Sequence, residues 1–194
     1  MGVIHFYEGE LNEAFRYYDM SRTISTMSSS PNDINVGRAL YNMGLVKEEK
    51  GFLIDAGVLY QKALKIYLQN YGQYHHHIAE VYGSLGNIHL TRYEFQKAKY
   101  YFQKDLETSI HLYGEGHVET TWGYENLGRL YHEEGNDSSA QRMFEKVLEI
   151  RNQFYHGKNI YIANVLLSLA ELENNASKSI DYAKKALAVE NSIT

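Results

Sequence analysis

Apolar residues recur along this chain at intervals of three and four. From Ile78 onward, Tyr82, Leu85, Ile88 and Leu90 crowd one side of a helical wheel. Tyr93 and Glu94 break the pattern, and Ala98, Tyr101, Phe102, Leu106 and Ile110 form a second stripe. Such spacing marks amphipathic helices. Applied throughout, it predicts helices over 2–8, 10–27, 33–50, 53–70, 76–91, 94–112, 118–133, 137–154, 160–173 and 177–191. The first is a stub, because Met1 enters the pattern in mid-helix, as expected of a truncated unit or a longer natural chain. One proline in 194 residues suits an almost wholly helical chain, since proline breaks helix interiors.

The stripes themselves repeat. Gly2, Gly44, Gly86 and Gly128 stand 42 residues apart, with Ala170 in the fifth slot, and each follows a large apolar residue: Met1, Met43, Leu85, Leu127 and Leu169. Ala14, Ala56, Ala98 and Ala140 keep the same step, as do Tyr18, Tyr60, Phe102 and Phe144. A fixed period of this size marks helical units that cannot bury their apolar faces alone. Glycine inside a helix costs about 1 kcal/mol relative to alanine, so close helix approach is the expected compensation, with the aromatic filling space between units. The arrangement expected is a single array, with a partial repeat over 1–32 and repeats near 33–74, 75–116, 117–158 and 159–194.

Helix stops mark the turns within pairs: Gly9, Gly51 and Gly135. Between pairs the chain reads Tyr71-Gly72-Gln73-Tyr74-His75, Tyr113-Gly114-Glu115-Gly116-His117 and Tyr155-His156-Gly157-Lys158-Asn159. The first connection instead carries Ser30-Pro31, which predicts an N-cap at Ser30 with Asp33 in the first turn.

These units resemble tetratricopeptide repeats, whose usual period is about 34 with a W-x2-L-G-x2-Y opening. Tyr82-x2-Leu85-Gly86 and Tyr124-x2-Leu127-Gly128-x2-Tyr131 follow that opening with tyrosine in place of tryptophan. The longer period and the Tyr-Gly-x-x-His linker are similar to kinesin light chain-type repeats, although His76, Val118 and Ile160 replace the proline usual after the linker histidine. The resemblance implies an all-α, right-handed α-solenoid that binds protein or peptide partners in a concave groove lined by the first helix of each pair.

Counting from the small residue, the core-facing offsets hold Leu40, Met43 and Val46; Tyr82, Leu85 and Ile88; Tyr124, Leu127 and Leu130; and Leu166, Leu169 and Leu172. The opposite offsets supply the expected peptide-binding groove: Arg38, Tyr41, Asn42, Asn87, Trp122, Glu125, Asn126 and Arg129. Leu45, Glu48, Gly83 and Leu90 share those offsets. Asn can bond both donor and acceptor of an extended backbone, and Arg can fork onto a carboxylate. Trp122 is a candidate hot spot because Tyr124 occupies the family's core tryptophan place. The cationic clamp with which some tetratricopeptide domains hold a chaperone's C-terminal carboxylate has no counterpart here.

Charge and composition remove other classes. The formal charge is −5 and no basic stripe appears, which argues against a nucleic-acid partner. No run approaches a membrane span, and no signal-peptide pattern opens the chain. The absence of Cys removes thiolate chemistry and fits a reducing, cytoplasmic compartment. His75-His76-His77 reads as a polar helix entrance rather than a metal site, and Glu48-Glu49 and Glu133-Glu134 as solvated pairs. No phosphate-cradling loop or nucleophile elbow occurs, so the expectation is a non-enzymatic interaction module without cofactor or metal. The alternatives are a peptide-sensing regulatory domain of a larger protein, and a module that self-associates through its ends.

Overall fold

The computed structural model describes residues 1–157 and 159–191, and among them no strand occurs. The helices are α1 (Gly2–Tyr7), α2 (Leu11–Ser28), α3 (Ile34–Glu49), α4 (Leu53–Tyr71), α5 (His76–Thr91), α6 (Phe95–Tyr113), α7 (Thr121–Glu133), α8 (Asp137–Tyr155), α9 (Ile160–Leu172) and α10 (Ala176–Asn191). They fall where the periodicity places them, with one difference: Val118–Thr120 forms a separate 3-10 turn before α7. The fold is all-α and built from successive helix hairpins.

The chain divides into two compact units, Met1–Tyr101 and Phe102–Thr194, so the boundary lies inside α6. In the first unit, α1 packs on α2, α2 on α3, α3 on α4 and α4 on α5. Its main core joins Leu40, Tyr60, Ile66, Tyr67, Ile78 and Leu85. In the second, α7 packs on α8, α8 on α9 and α9 on α10. Tyr124, Phe144, Val147, Val165 and Leu169 centre that core. The stripe read as core-facing is buried in both units, except that Tyr82 is only partly so.

The repeated small residue and the repeated aromatic meet within one hairpin. A methyl group at Gly2 would lie 2.8 Å from Tyr18 Cε1, and one at Gly128 would lie 2.9 Å from Phe144 Cε1. Gly44 meets Tyr60 more closely still. The aromatic therefore does not fill the space between units, as expected from sequence, but covers the glycine of its own partner helix. Only hydrogen leaves room for the ring.

Four hairpin turns share one hydrogen-bond scheme. The amides of Glu10, Phe52, Glu94 and Asn136 donate to the carbonyls of His5, Lys47, His89 and Tyr131, closing each first helix in a Schellman motif. The motif needs a left-handed residue, supplied by Gly9, Gly51 and Gly135 at φ 78°, 77° and 74°. Tyr93 holds the fourth such position at φ 57°, where a side chain is disfavoured.

Helix entry is also periodic. Asp33, His75, His117 and Asn159 cap α3, α5, the 3-10 turn and α9, each accepting an amide hydrogen from the residue two positions later. Asp33 thus holds the N-cap expected of Ser30, whose hydroxyl oxygen instead accepts from the Asn32 amide at 3.2 Å. Asp33 wins because its Oδ1 reaches the Asn35 amide at 2.8 Å, inside the first turn. The linker histidines are caps backed by stacked tyrosines, His75 on Tyr71 and His117 on Tyr113.

Candidate protein-interaction surface

On the first unit, α3 and α5 carry four of the expected groove residues. Arg38 is exposed and donates to Asn35 Oδ1 at 2.9 Å, within its own helix. Asn42 shares a cavity of about 470 Å³ with Arg38, Tyr17, Tyr18, Ser21 and the first residues of α1. Tyr41 is half-buried: its hydroxyl lies 3.3 Å from Ser84 Oγ on α5, and its ring is 5.4 Å from that of Tyr60. It ties α3 to α5. Asn87 is half-buried on α5, and its carbonyl accepts from the Thr91 hydroxyl.

Three neighbours at the same offsets turn away from solvent. Gly83 and Leu90 are buried. Glu48, read as solvated, accepts a 2.5 Å hydrogen bond from the Tyr60 hydroxyl. Burial pushes the Glu48 carboxyl above the usual carboxylate value, against the lowering effect of that bond. The Glu48 oxygen is thereby committed to holding the Tyr60 ring over Gly44.

The second unit gathers its groove residues around a side chain that the first-helix reading missed. Arg151 rises from α8 with only 1% of its surface exposed. Its Nε donates to Thr121 Oγ1 at 3.2 Å, Nη1 to the Tyr161 carbonyl at 3.1 Å and Nη2 to Glu125 Oε2 at 2.5 Å. Its guanidinium carbon also lies 4.9 Å from the Trp122 ring centre and 5.5 Å from that of Tyr161. A buried charge of this kind is tolerable only when fully paired, and here all three nitrogens are. Trp122 and Tyr161, 44% and 39% exposed, meet edge to face at 5.2 Å above it. Glu125 is therefore an ion-pair partner for Arg151. Asn126 Nδ2 lies 3.4 Å from Asp105 Oδ2, and Arg129 is exposed on the next turn of α7.

The repeat also explains a difference between the units. Two periods before Arg151 stands Tyr67, buried against α3, its ring stacked on His77 at 5.1 Å. Its hydroxyl is buried without a hydrogen-bond partner among the described residues, and that burial pushes its ionisation far up. One repeat thus leaves this place with an orphan hydroxyl, and another fills it with a saturated guanidinium. A signal for Arg151 was present in the sequence: it continues the Phe144, Val147 stripe of α8, where an apolar residue is due.

Among the described residues, one group of possible metal ligands converges, His5, Glu8 and Glu10 at the α1–α2 turn. The equivalent contact at a later turn, His89 with Glu94 at 2.8 Å, and a similar one shifted by one residue, His132 with Asp137 at 3.0 Å, mark it as a hairpin clasp. The Glu94 carboxyl falls to about 2, chiefly through its bond from Lys97 and then from His89. His75 is spent as a cap, and among the described residues no helix is long and apolar enough to cross a membrane.

The tetratricopeptide repeat pattern matches residues 35–108 and 94–153. No curated protein matches the chain in sequence. Among solved structures, BtubC (BKLC) from P. vanneervenii is similar at TM-score 0.80 and 22% identity, covering 99% of this chain and 75% of that one. A putative kinesin light chain of Podosopora anserina with nearly identical TPR-like repeats superposes at TM-score 0.79 and 12% identity, covering 98% of this chain and 92% of that one. The apo form of RapI reaches TM-score 0.84 at 18% identity, covering 98% of this chain and 68% of that one. These likenesses concern the fold, a helical solenoid of a kind that serves generally in protein interaction. By its matched repeats, the chain belongs to the tetratricopeptide repeat family, with 42-residue units of the kinesin light chain-like kind.

Proposed function

We propose that this chain is a non-enzymatic interaction module that holds a peptide or partner segment along the solvent-facing sides of its first helices. The observation that carries this reading is the exposed Trp122, set on a saturated ion pair beside Asn126 and Arg129. A large aromatic immobilised before binding loses little entropy when a partner arrives, which is the character of an interface hot spot. Arg38 and Asn42 offer the first unit a polar counterpart, with cavity space beside them. No cofactor or metal enters this reading, and the cysteine-free composition suits a reducing, cytoplasmic setting.

The test is binding of display-selected peptides to the chain and to Trp122→Ala and Arg129→Ala variants. A loss of about tenfold or more in either variant supports the assignment. Unchanged affinity in both removes it.

Self-association is a second reading, favoured by an apolar strip on α2. Ile24 is 62% exposed, whereas Ile66, its equivalent one repeat later, is 6% exposed beneath Val36 and Leu40. Met20 and Met27 extend the strip. Light scattering across a concentration series tests it, and a constant monomer mass would remove it.

A further inference from the structure

Two surfaces that are covered in the other hairpins lie bare on α1 and α10. The residue two positions after the repeated small one is buried in four first helices: Val46, Ile88, Leu130 and Leu172 are 0%, 3%, 0% and 8% exposed. Ile88 rests on α4, its Cδ1 lying 3.8 Å from where a methyl group at Gly57 would stand. Leu172 joins Phe144 and Val147 of α8 in one core. Ile4 holds the same place on α1, yet it is 54% exposed, with Val3 beside it at 53%.

The complementary surface is bare on α10. Its turn is three residues shorter than the others, so Ile180, Ala183 and Leu187 fall in the columns of Gly57, Tyr60 and Leu64 on α4. Buried Ala186 then shares a column with buried Ala63 and Val147, which fixes the alignment. On α4 these columns are covered: Tyr60 is fully buried and Gly57 faces Ile88 of α5. On α10 Ile180 and Leu187 are 54% and 57% exposed. A helix that closes such an array is expected to present a polar outer face. Ile180 does the opposite, in a column that elsewhere holds Lys99 and Gln141.

These are the two halves of one contact, the contact that α4 makes with α5. α10 carries the half supplied by α4, and α1 carries the half supplied by α5. Charge agrees with that pairing. Lys184 is the exposed cation in the α10 row, and residues 1–13 hold Glu8, Glu10 and Glu13 with no Lys or Arg. We infer that α10 of one copy of this chain docks on α1 of a second copy, repeating the α4–α5 contact between molecules. Such a contact is heterologous, so each copy keeps one free half and growth does not stop at two. The inference takes self-association as its premise and goes beyond it by placing the contact on α1 and α10 rather than on the α2 strip.

Sedimentation velocity over a concentration series tests it on the full chain. The parent should grow with concentration through dimers to larger species. Ile4→Glu and Leu187→Glu, both at exposed positions and both checked for folding by circular dichroism, should each weaken association about tenfold or more. Mixed in equal amounts, the two variants should form dimers and nothing larger, because one supplies an intact α10 and the other an intact α1. Ile24→Glu, on the α2 strip, should associate as the parent does.

A mixture that stays monomeric overturns the inference, as does full association of either variant alone. If Ile24→Glu is monomeric while the other two associate like the parent, the contact lies on α2: self-association stands and its placement on α1 and α10 falls. A parent that stays monomeric at every concentration removes both. The peptide-binding reading is untouched by any of these results.

Discussion

The ring of Tyr60 packs against the bare Cα of Gly44: a methyl group there would come within 2.6 Å of Tyr60 Cδ1 and nearer still to Cε1. Tyr60 is fully buried, and its hydroxyl is held by Glu48, so the ring has nowhere to go.

Gly44→Ala should therefore destabilise the protein by about 2 kcal/mol. Overpacking costs up to about 3 kcal/mol, and the better helix propensity of alanine returns about 1. Gly57 is the control. A methyl group there meets only Ile88 Cδ1, at 3.8 Å, so Gly57→Ala should stabilise by about 1 kcal/mol. Thermal or urea unfolding of both variants checks the pair.

Tyr93 pays for a backbone conformation that glycine supplies at the other three hairpin turns. Its side chain is largely exposed and touches Phe95 edge to face, so little packing is lost on removal. Tyr93→Gly should raise stability by about 1 kcal/mol, measured by urea unfolding.

His75 caps α5 through a ring nitrogen that must keep its lone pair to accept the His77 amide. Partial burial, and then His76 and His77, hold its pKa below the ordinary 6.5. A base whose folded pKa is depressed contributes stability that is present above 6.5 and lost as pH falls through the folded value. The equivalent cap Asn159 carries no ionisable side chain, which suggests the substitution. His75→Asn should match the parent within about 0.5 kcal/mol at pH 8 and exceed it at pH 5. Equal pH dependence in the two proteins would remove the cap from the account.

Arg151→Ala should cost about 3 kcal/mol, because it strands the Glu125 carboxylate and unfastens α8 from both α7 and α9. Trp122 loses its cation in the same step, so its emission should shift in the still-folded variant at low temperature.

Most of the fold was legible because it is periodic. Gly44 and Tyr60 keep step with Gly128 and Phe144, which announced close packing at both columns but not that each ring covers the glycine of its own hairpin, and the turn glycines marked the hairpins. What escaped was aperiodic. Arg151 shows in the sequence only as a charge at an apolar place of the α8 stripe, and counting offsets along first helices cannot find a side chain arriving from a second helix. The same counting assigned Glu48 to solvent, because the Tyr60 hydroxyl that claims it comes from the next helix. Asp33 could have been found: with His75, His117 and Asn159 it forms a column of side-chain acceptors 42 residues apart. Ser30 drew attention only because Pro31 follows it.

The account turns on the outward sides of the first helices being where a partner is held. Peptides selected against the intact chain would be re-measured by calorimetry on an Asn42→Ala, Trp122→Ala, Arg129→Ala triple variant. The control is Tyr100→Ala, exposed on α6, with folding of both variants confirmed by circular dichroism. A loss of about thirtyfold or more in the triple variant, with the control unchanged, is the predicted result. Full affinity in the triple variant would contradict it.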